Sequence, residues 1–225
     1  MEYFYSGLIS GIFQTIIGHP LDTLKTIKQN NSNNNLKNSK NIYLYAGLKY
    51  PLIQNSIVCS TSFYTNYTLH KSFDNIYFSS FVTGIISSII ICPLDEYKIK
   101  SQQNIIFKVN KKTLLKSYKN FHILMLREIP ANIIYFSSYE YLKNNNLSFF
   151  ISGSIAGVLS WLITHPIDTI KTRLQSGSSK NIKEAVLQKN LLIGIKYSIL
   201  RAFIVNGFGL YTYELSLSLI KNNFH

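Results

Sequence analysis

Pro166-Ile-Asp168-Thr-Ile-Lys171-Thr-Arg173-Leu-Gln175 has two counterparts in the chain, Pro93-Leu-Asp95-Glu-Tyr-Lys98-Ile-Lys100-Ser-Gln102 and Pro20-Leu-Asp22-Thr-Leu-Lys25-Thr-Ile-Lys28-Gln29. The motif prolines stand 73 residues apart, twice over, in a chain of 225 residues. A period that regular predicts three tandem units, spanning 1–72, 73–145 and 146–225. Within each copy Asp, then Lys three residues on, then Gln four further, falls on one face of an α-helix, just past a proline that kinks it. One such acid–base pair reads as a solvated surface pair. Three copies at equal spacing, each closing an apolar segment, read as a built feature.

Composition narrows the class. The chain has 23 Lys+Arg against 10 Asp+Glu, a formal charge of +13, and is 46% hydrophobic. The basic residues do not form an arm or a stripe interleaved with stacking aromatics, so no nucleic-acid partner is expected. They fall in the joins between apolar segments. Cys59 and Cys92 each lie inside an apolar segment and read as small buried hydrophobes, with neither a disulfide framework nor a metal site. Met1-Glu2-Tyr3 runs directly into an apolar segment with no Arg-rich, Ser-rich presequence, so targeting information is expected to be internal.

Six apolar segments follow one another at about 4–28, 45–71, 77–102, 119–143, 147–175 and 192–220. Each is long enough to cross a bilayer core of about 30 Å at about 1.5 Å per residue. Ser, Thr, Asn and Tyr interrupt all of them, so hydropathy leaves a soluble all-α repeat protein as the alternative. Two features favour the membrane. Small residues four apart, Gly7/Gly11, Ser80/Gly84 and Gly153/Gly157, recur in the odd segments, as close packing of membrane helices requires. Lysine-bearing joins (Lys37, Lys40; Lys108, Lys111, Lys112, Lys116; Lys180, Lys183, Lys189) alternate with short joins lacking interior Lys or Arg, which is a topology signal.

The tripled P-x-D-x-x-K motif with Gln at the tenth position, closing the first of two helices in each unit of about 75 residues, resembles the mitochondrial carrier family over the whole chain. The resemblance implies an all-α membrane protein: six tilted transmembrane helices in three two-helix repeats, with pseudo-threefold symmetry. It also implies a monomer in the mitochondrial inner membrane, with basic joins in the matrix, cardiolipin as a matrix-side lipid partner, and a central small-molecule solute site reached alternately from each side. No cofactor is implied. The Asn, Ile and Lys bias suggests an AT-rich genome; were the source a virus, the destination would be the host's mitochondria.

In that family the motif charges pair between neighbouring odd helices and close the matrix side. Here this implies the pairs Asp22–Lys98, Asp95–Lys171 and Asp168–Lys25, with Gln29, Gln102 and Gln175 in bracing positions. Charges in a low-dielectric barrel must be paired, and a ring of pairs can open when solute binding compensates. The cytoplasmic gate resembles the family's aromatic–acid–x–x–base pattern at Tyr139-Glu140-Tyr-Leu-Lys143, at Tyr67-Thr68-Leu-His-Lys71 without the acid, and at Tyr213-Glu214-Leu-Ser-Leu217 without the base. Lys71 is then expected to meet Glu140, Lys143 to meet Glu214, and Thr68 to face Leu217. With two pairs against three, the cytoplasmic gate is expected to be the weaker.

Seven residues past Gly47, Asn120 and Gly194, the resemblance implies solute contacts at Gln54, Arg127 and Arg201. Glu128 beside Arg127 resembles carriers of amino acids and related zwitterions, including S-adenosylmethionine. Arg127 and Arg201 can clamp a carboxylate or phosphate while Glu128 meets an ammonium; alternatively Arg127 and Glu128 neutralise one another. Trp161 either faces the cavity or packs. The chain departs from the family in its short matrix joins, in Asn120 for an expected Gly, and in the late position of Lys28. A nucleotide, ribo or deoxy, is the alternative solute, and a proton-leak or scaffold protein the alternative role. No nucleophile, base and orienter set points to an enzyme.

Overall fold

A computed structural model describes residues 1–30, 48–102, 121–175, 182–187 and 195–223, with Tyr45, Tyr118, Leu191 and Leu192; for 22–30, 96–102, 172–175, Ala185 and Asn223 it describes the backbone alone. The described chain is helical: α1 (Glu2–Asn30), α2 (Lys49–Phe73), α3 (Ile76–Gln102), α4 (Phe121–Asn144), α5 (Phe149–Gln175), a short α6 (Ile182–Leu187) and α7 (Ile195–Asn223). The long helices lie within a few residues of the six apolar segments. Pro20, Pro93 and Pro166 sit inside α1, α3 and α5, and helix continues through each of them.

The two short joins are built alike. Asp74 and Asn146 are the described non-glycine residues with positive φ, at 48° and 60°. That left-handed conformation suits a helix C-terminus, and Asp and Asn tolerate it better than most residues. Asp74 N–H donates to His70 O at 2.8 Å, closing α2. Asn75 Oδ1 then accepts from Phe78 N–H at 3.0 Å, and Ser148 Oγ accepts from Ile151 N–H at 3.4 Å. Both side chains cap the N-terminus of the following helix.

Each long helix packs on its neighbour in chain order, and α1 packs on α7, so the six form a closed ring. Close approach rests on the small residues four apart. A Cβ added to Gly7 or Gly11 would lie 2.7 Å from the Cα of Ser60 or Ser56 on α2. One on Gly84 would lie 2.7 Å from Ile129 Cα on α4, and one on Gly153 2.7 Å from Asn206 O on α7. Hydroxyls and amides bridge these seams. Ser10 Oγ donates to Gly209 O at 2.7 Å, Asn66 Nδ2 to Ser80 Oγ at 3.0 Å, and Ser160 Oγ to Ala131 O at 3.0 Å.

The interior is polar and the exterior greasy. Ser6, Ser10, Ser79, Ser80, Ser88 and Ser152 are fully buried, while Phe13, Ile57, Phe81, Ile89, Leu126 and Ile163 are exposed. In water that arrangement would squander the hydrophobic effect. Against lipid it is the expected one, because apolar side chains face the tails and small polar residues join the helices. Two segments, Ile76–Asp95 and Phe149–Lys171, are long and apolar enough by composition to span a membrane. The other four long helices carry the extra polar residues that interrupted them in the sequence.

Candidate functional site

The motif helices α3 and α5 bring Asp95 and Asp168 toward the ring interior, where Gln54 of α2 and Arg127 of α4 answer them. Lys171 Nζ meets Asp95 Oδ2 at 2.8 Å, linking α5 to α3. Gln54 on α2 donates from Nε2 to the other oxygen, Asp95 Oδ1, at 2.6 Å. Gln54 Oε1 is buried without a partner. The side chains of Asp22, Lys25, Gln29, Lys98, Gln102 and Gln175 lie outside the described ones, so the Asp22–Lys98 and Asp168–Lys25 pairings do too.

Arg127 on α4 makes three contacts. Its Nη1 contacts Glu128 Oε1, its Nε lies 3.6 Å from Asp168 Oδ1 on α5, and its guanidinium sits 5.4 Å over the ring of Trp161. Trp161 therefore faces inward and carries a cation–π contact, which is stronger where water is excluded. Glu128 is buried, and Arg127 supplies the partner that a buried carboxylate needs. Arg201 on α7 packs over Gly18 of α1, where an added Cβ would lie 3.4 Å from Nη2. Two solute positions expected from the sequence, Gln54 and Arg127, thus each touch a motif carboxylate on the next odd helix.

Above this layer is a cavity of about 150 Å³. Cys59, Asn132 and Asn206 line it with Gln14, Ser62 and Tyr135. The first three stand 73 and then 74 residues apart, five positions beyond Gln54, Arg127 and Arg201. Cys59 is therefore more than a packing residue, since its Sγ lies 3.7 Å from both Gln14 Oε1 and Asn55 Oδ1. Sequence reading passed over this layer, although adding the repeat offset to the solute positions finds it.

The same offset carries Phe63 to Phe136 and Leu210, which form the roof. Phe63 stacks on Tyr213 with centroids 4.0 Å apart and meets Phe136 edge-on at 5.7 Å. Tyr139 and Leu217 complete the buried cluster. Glu214 Oε1 accepts from Tyr139 Oη and from Lys143 Nζ, each at 2.5 Å.

The expected partner of Glu140 is corrected. His70 Nε2, not Lys71, approaches Glu140 Oε1, at 3.4 Å, while Lys71 is exposed. The reason is register. His70 stands 73 residues before Lys143, and Leu217 stands 74 after it, so the first copy begins at Asn66 and not at Tyr67. Tyr67 then occupies the acid's position and stacks on Tyr3 at 3.4 Å. Thr68 instead bonds back to Tyr64 O at 2.8 Å. Where an ion pair is missing, Tyr67 stacks on Tyr3, and Leu217 packs in the buried cluster against which Tyr3 also lies.

A closed ring of lipid-facing helices around a central charged layer defines a membrane carrier. The model of the mitochondrial carrier protein family matches residues 1–77 and 143–224, and the chain belongs to that family. It is similar to the mitochondrial arginine transporter BAC2 of Arabidopsis thaliana, with 29% identity covering 97% of this chain and 91% of the relative. It is also similar to the mitochondrial ornithine transporter 1 of Schizosaccharomyces pombe, at 24% over 94% and 90%. The mitochondrial carnitine carrier of Saccharomyces cerevisiae is a third relative, at 26% over 98% and 88%. The chain is accordingly a solute carrier integral to the mitochondrial inner membrane.

Proposed function

We propose that this carrier moves an amino acid or a related zwitterion, such as an S-adenosylmethionine-type solute, by alternating access through three tandem helix pairs (1–72, 73–145 and 146–225) that cross the membrane six times. One observation carries the reading: Arg127 touches both Glu128 and Asp168, so the central layer offers a cation and carboxylates side by side. A solute carboxylate meets Arg127 and Arg201, and its ammonium meets the carboxylates that Arg127 releases. Among the described side chains, Arg127, Lys171 and Arg201 stand against Asp95, Glu128 and Asp168. Equal numbers favour a solute of little net charge.

The names of the arginine and ornithine relatives agree with an amino-acid solute. A nucleotide fits less well. The contact with Arg127 masks the charge of Glu128, but it also leaves Arg127 with two acids already in place, which a phosphate would have to displace.

In this reading Asp22, Lys25, Gln29, Asp95, Lys98, Gln102, Asp168, Lys171 and Gln175 form the matrix gate. The cytoplasmic gate consists of His70, Tyr139, Glu140, Lys143, Tyr213 and Glu214 with the apolar roof. Uptake of labelled amino acids, S-adenosylmethionine and nucleotides into liposomes carrying the purified protein tests the reading, after a thermal-shift screen. Saturable exchange of an amino acid or S-adenosylmethionine supports it; exchange of nucleotides alone defeats it.

A further inference from the structure

The cavity above the charged layer has no Lys, Arg, Asp or Glu among its lining residues, and three of those residues, Gln14, Asn132 and Asn206, carry amides. Asn132 Nδ2 donates to Glu128 O at 2.9 Å, and Asn206 Nδ2 donates to Ala202 O at 2.8 Å. Of an amide's two polar atoms only the nitrogen can donate to a carbonyl, so each amide orientation is fixed and each Oδ1 is left as an acceptor. Gln14 Nε2 is turned to Ser10 Oγ at 3.3 Å. That leaves Gln14 Oε1 with only the weak thiol donor of Cys59, at 3.7 Å. Three residues of the lining, one each from α1, α4 and α7, thus carry an amide oxygen able to accept. The rings of Phe63, Tyr135 and Phe136 are also part of its wall, with the Tyr135 hydroxyl and smaller side chains such as Ser62 and Ser160.

An acceptor-rich, aromatic-walled cavity without a lysine or arginine among its lining residues suits a cation that carries hydrogen-bond donors. It lies five residues, about 7.5 Å along a helix, from the Arg127 layer. Its volume of about 150 Å³ is several times the roughly 30 Å³ of one liquid water. That separation and size match a side chain of a few carbons ending in one polar group.

We infer that this cavity is a second subsite, which takes the ammonium or guanidinium at the end of the solute's side chain while the amino-acid head binds at Arg127 and Glu128. Resting on the zwitterion reading above, it narrows the solute to a basic amino acid. Asn132 and Asn206 set that specificity, with Gln14 as the third acceptor. In this cavity the partners of the cation are the amide oxygens and the faces of the aromatic rings.

The experiment is competition for uptake by liposomes carrying the full-length protein, with compounds that share one head and differ in the tail: arginine, ornithine, citrulline, norvaline and glutamate. Arginine and ornithine are expected to compete at concentrations about tenfold or more below citrulline and norvaline, the worth of one or two hydrogen bonds to a charged donor, with glutamate weakest. Asn132→Leu and Asn206→Leu should each shrink that preference toward unity while norvaline competes as before. Asn132→Asp, which keeps the shape, should widen it; this arm and the unmodified protein decide the matter if the leucine variants do not fold. Citrulline and norvaline competing as well as arginine would overturn the subsite and leave the zwitterion reading standing. Failure of every amino acid to compete, with uptake of another solute intact, would overturn both.

Discussion

Gln54 and Lys171 hold the two oxygens of one carboxylate, Asp95, at 2.6 Å and 2.8 Å. A residue at a proposed solute position is therefore bonded directly to the matrix gate. Arg127 stands in the corresponding relation to Asp168. A solute that draws Gln54 or Arg127 away leaves the gate carboxylate with fewer partners, and this differential contact is what a binding-driven transition requires. Replacing Gln54 by Leu removes a hydrogen bond to a charged acceptor, worth about 1.5 kcal/mol or somewhat less in a hydrated site. The matrix side should then open more readily without solute, seen as faster labelling of a single cysteine in the matrix half of the cavity. An unchanged labelling rate would break the link.

The register of α2 gives a second prediction. Lys71→Ala should leave transport and stability within about 0.5 kcal/mol of the parent, as for surface positions generally. His70→Ala should match Glu140→Gln in effect, and His70→Lys should restore or strengthen the contact. Thermal unfolding in detergent with parallel uptake assays checks all four. A larger loss from Lys71→Ala than from His70→Ala would return the gate to the register expected at first.

The apolar roof should outweigh the ion pair beside it. Leu217 is 8% exposed within the aromatic cluster, whereas the Lys143 side chain is 42% exposed. Truncating a buried leucine costs about 2 kcal/mol or more, and an exposed ion pair is worth under about 1 kcal/mol. Leu217→Ala should therefore lower the melting temperature more than Lys143→Ala. Restoring charges with Tyr67→Glu and Leu217→Lys should destabilise the cytoplasmic-closed state, since it exchanges packing for a pair in a crowded seam. Equal melting temperatures for the two single variants would argue against the roof.

Close approach of α3 and α4 depends on Gly84. A side chain there would meet Ile129 Cα at 2.7 Å, and backbone cannot retreat as a flexible side chain can. Gly84→Val should abolish folded protein in the membrane. Gly18→Ala meets a side-chain methyl of Val205 at 3.1 Å and should be tolerated. Recovery of Gly84→Val at parental yield would contradict the packing described.

Much of this was readable from the tripled motif, because a proline, an acid, a base and a glutamine at fixed offsets constrain helix phase and repeat length together. The small residues four apart named the helix seams correctly for the same reason. What escaped was tertiary. Tyr67 and Lys71 imitate an aromatic–x–x–x–base pattern one residue out of phase, and only counting from the motif prolines separates them from Asn66 and His70. Asp168 contacts Arg127, a residue 41 positions away on another helix, which no local pattern encodes. Asn132 and Asn206 looked like ordinary interruptions of apolar segments, since which face an isolated amide takes is settled by packing.

The most direct test of the central claim is exchange by liposomes carrying the parent protein or Glu128→Gln, offered a labelled amino acid in one set and a labelled nucleoside triphosphate in the other. The account predicts robust amino-acid exchange by the parent, lost by tenfold or more in the variant as a charge-assisted bond disappears, with nucleotide exchange low in both. Nucleotide exchange by the parent that Glu128→Gln leaves intact or improves, with no amino-acid uptake, would contradict it and make Glu128 only a structural partner of Arg127.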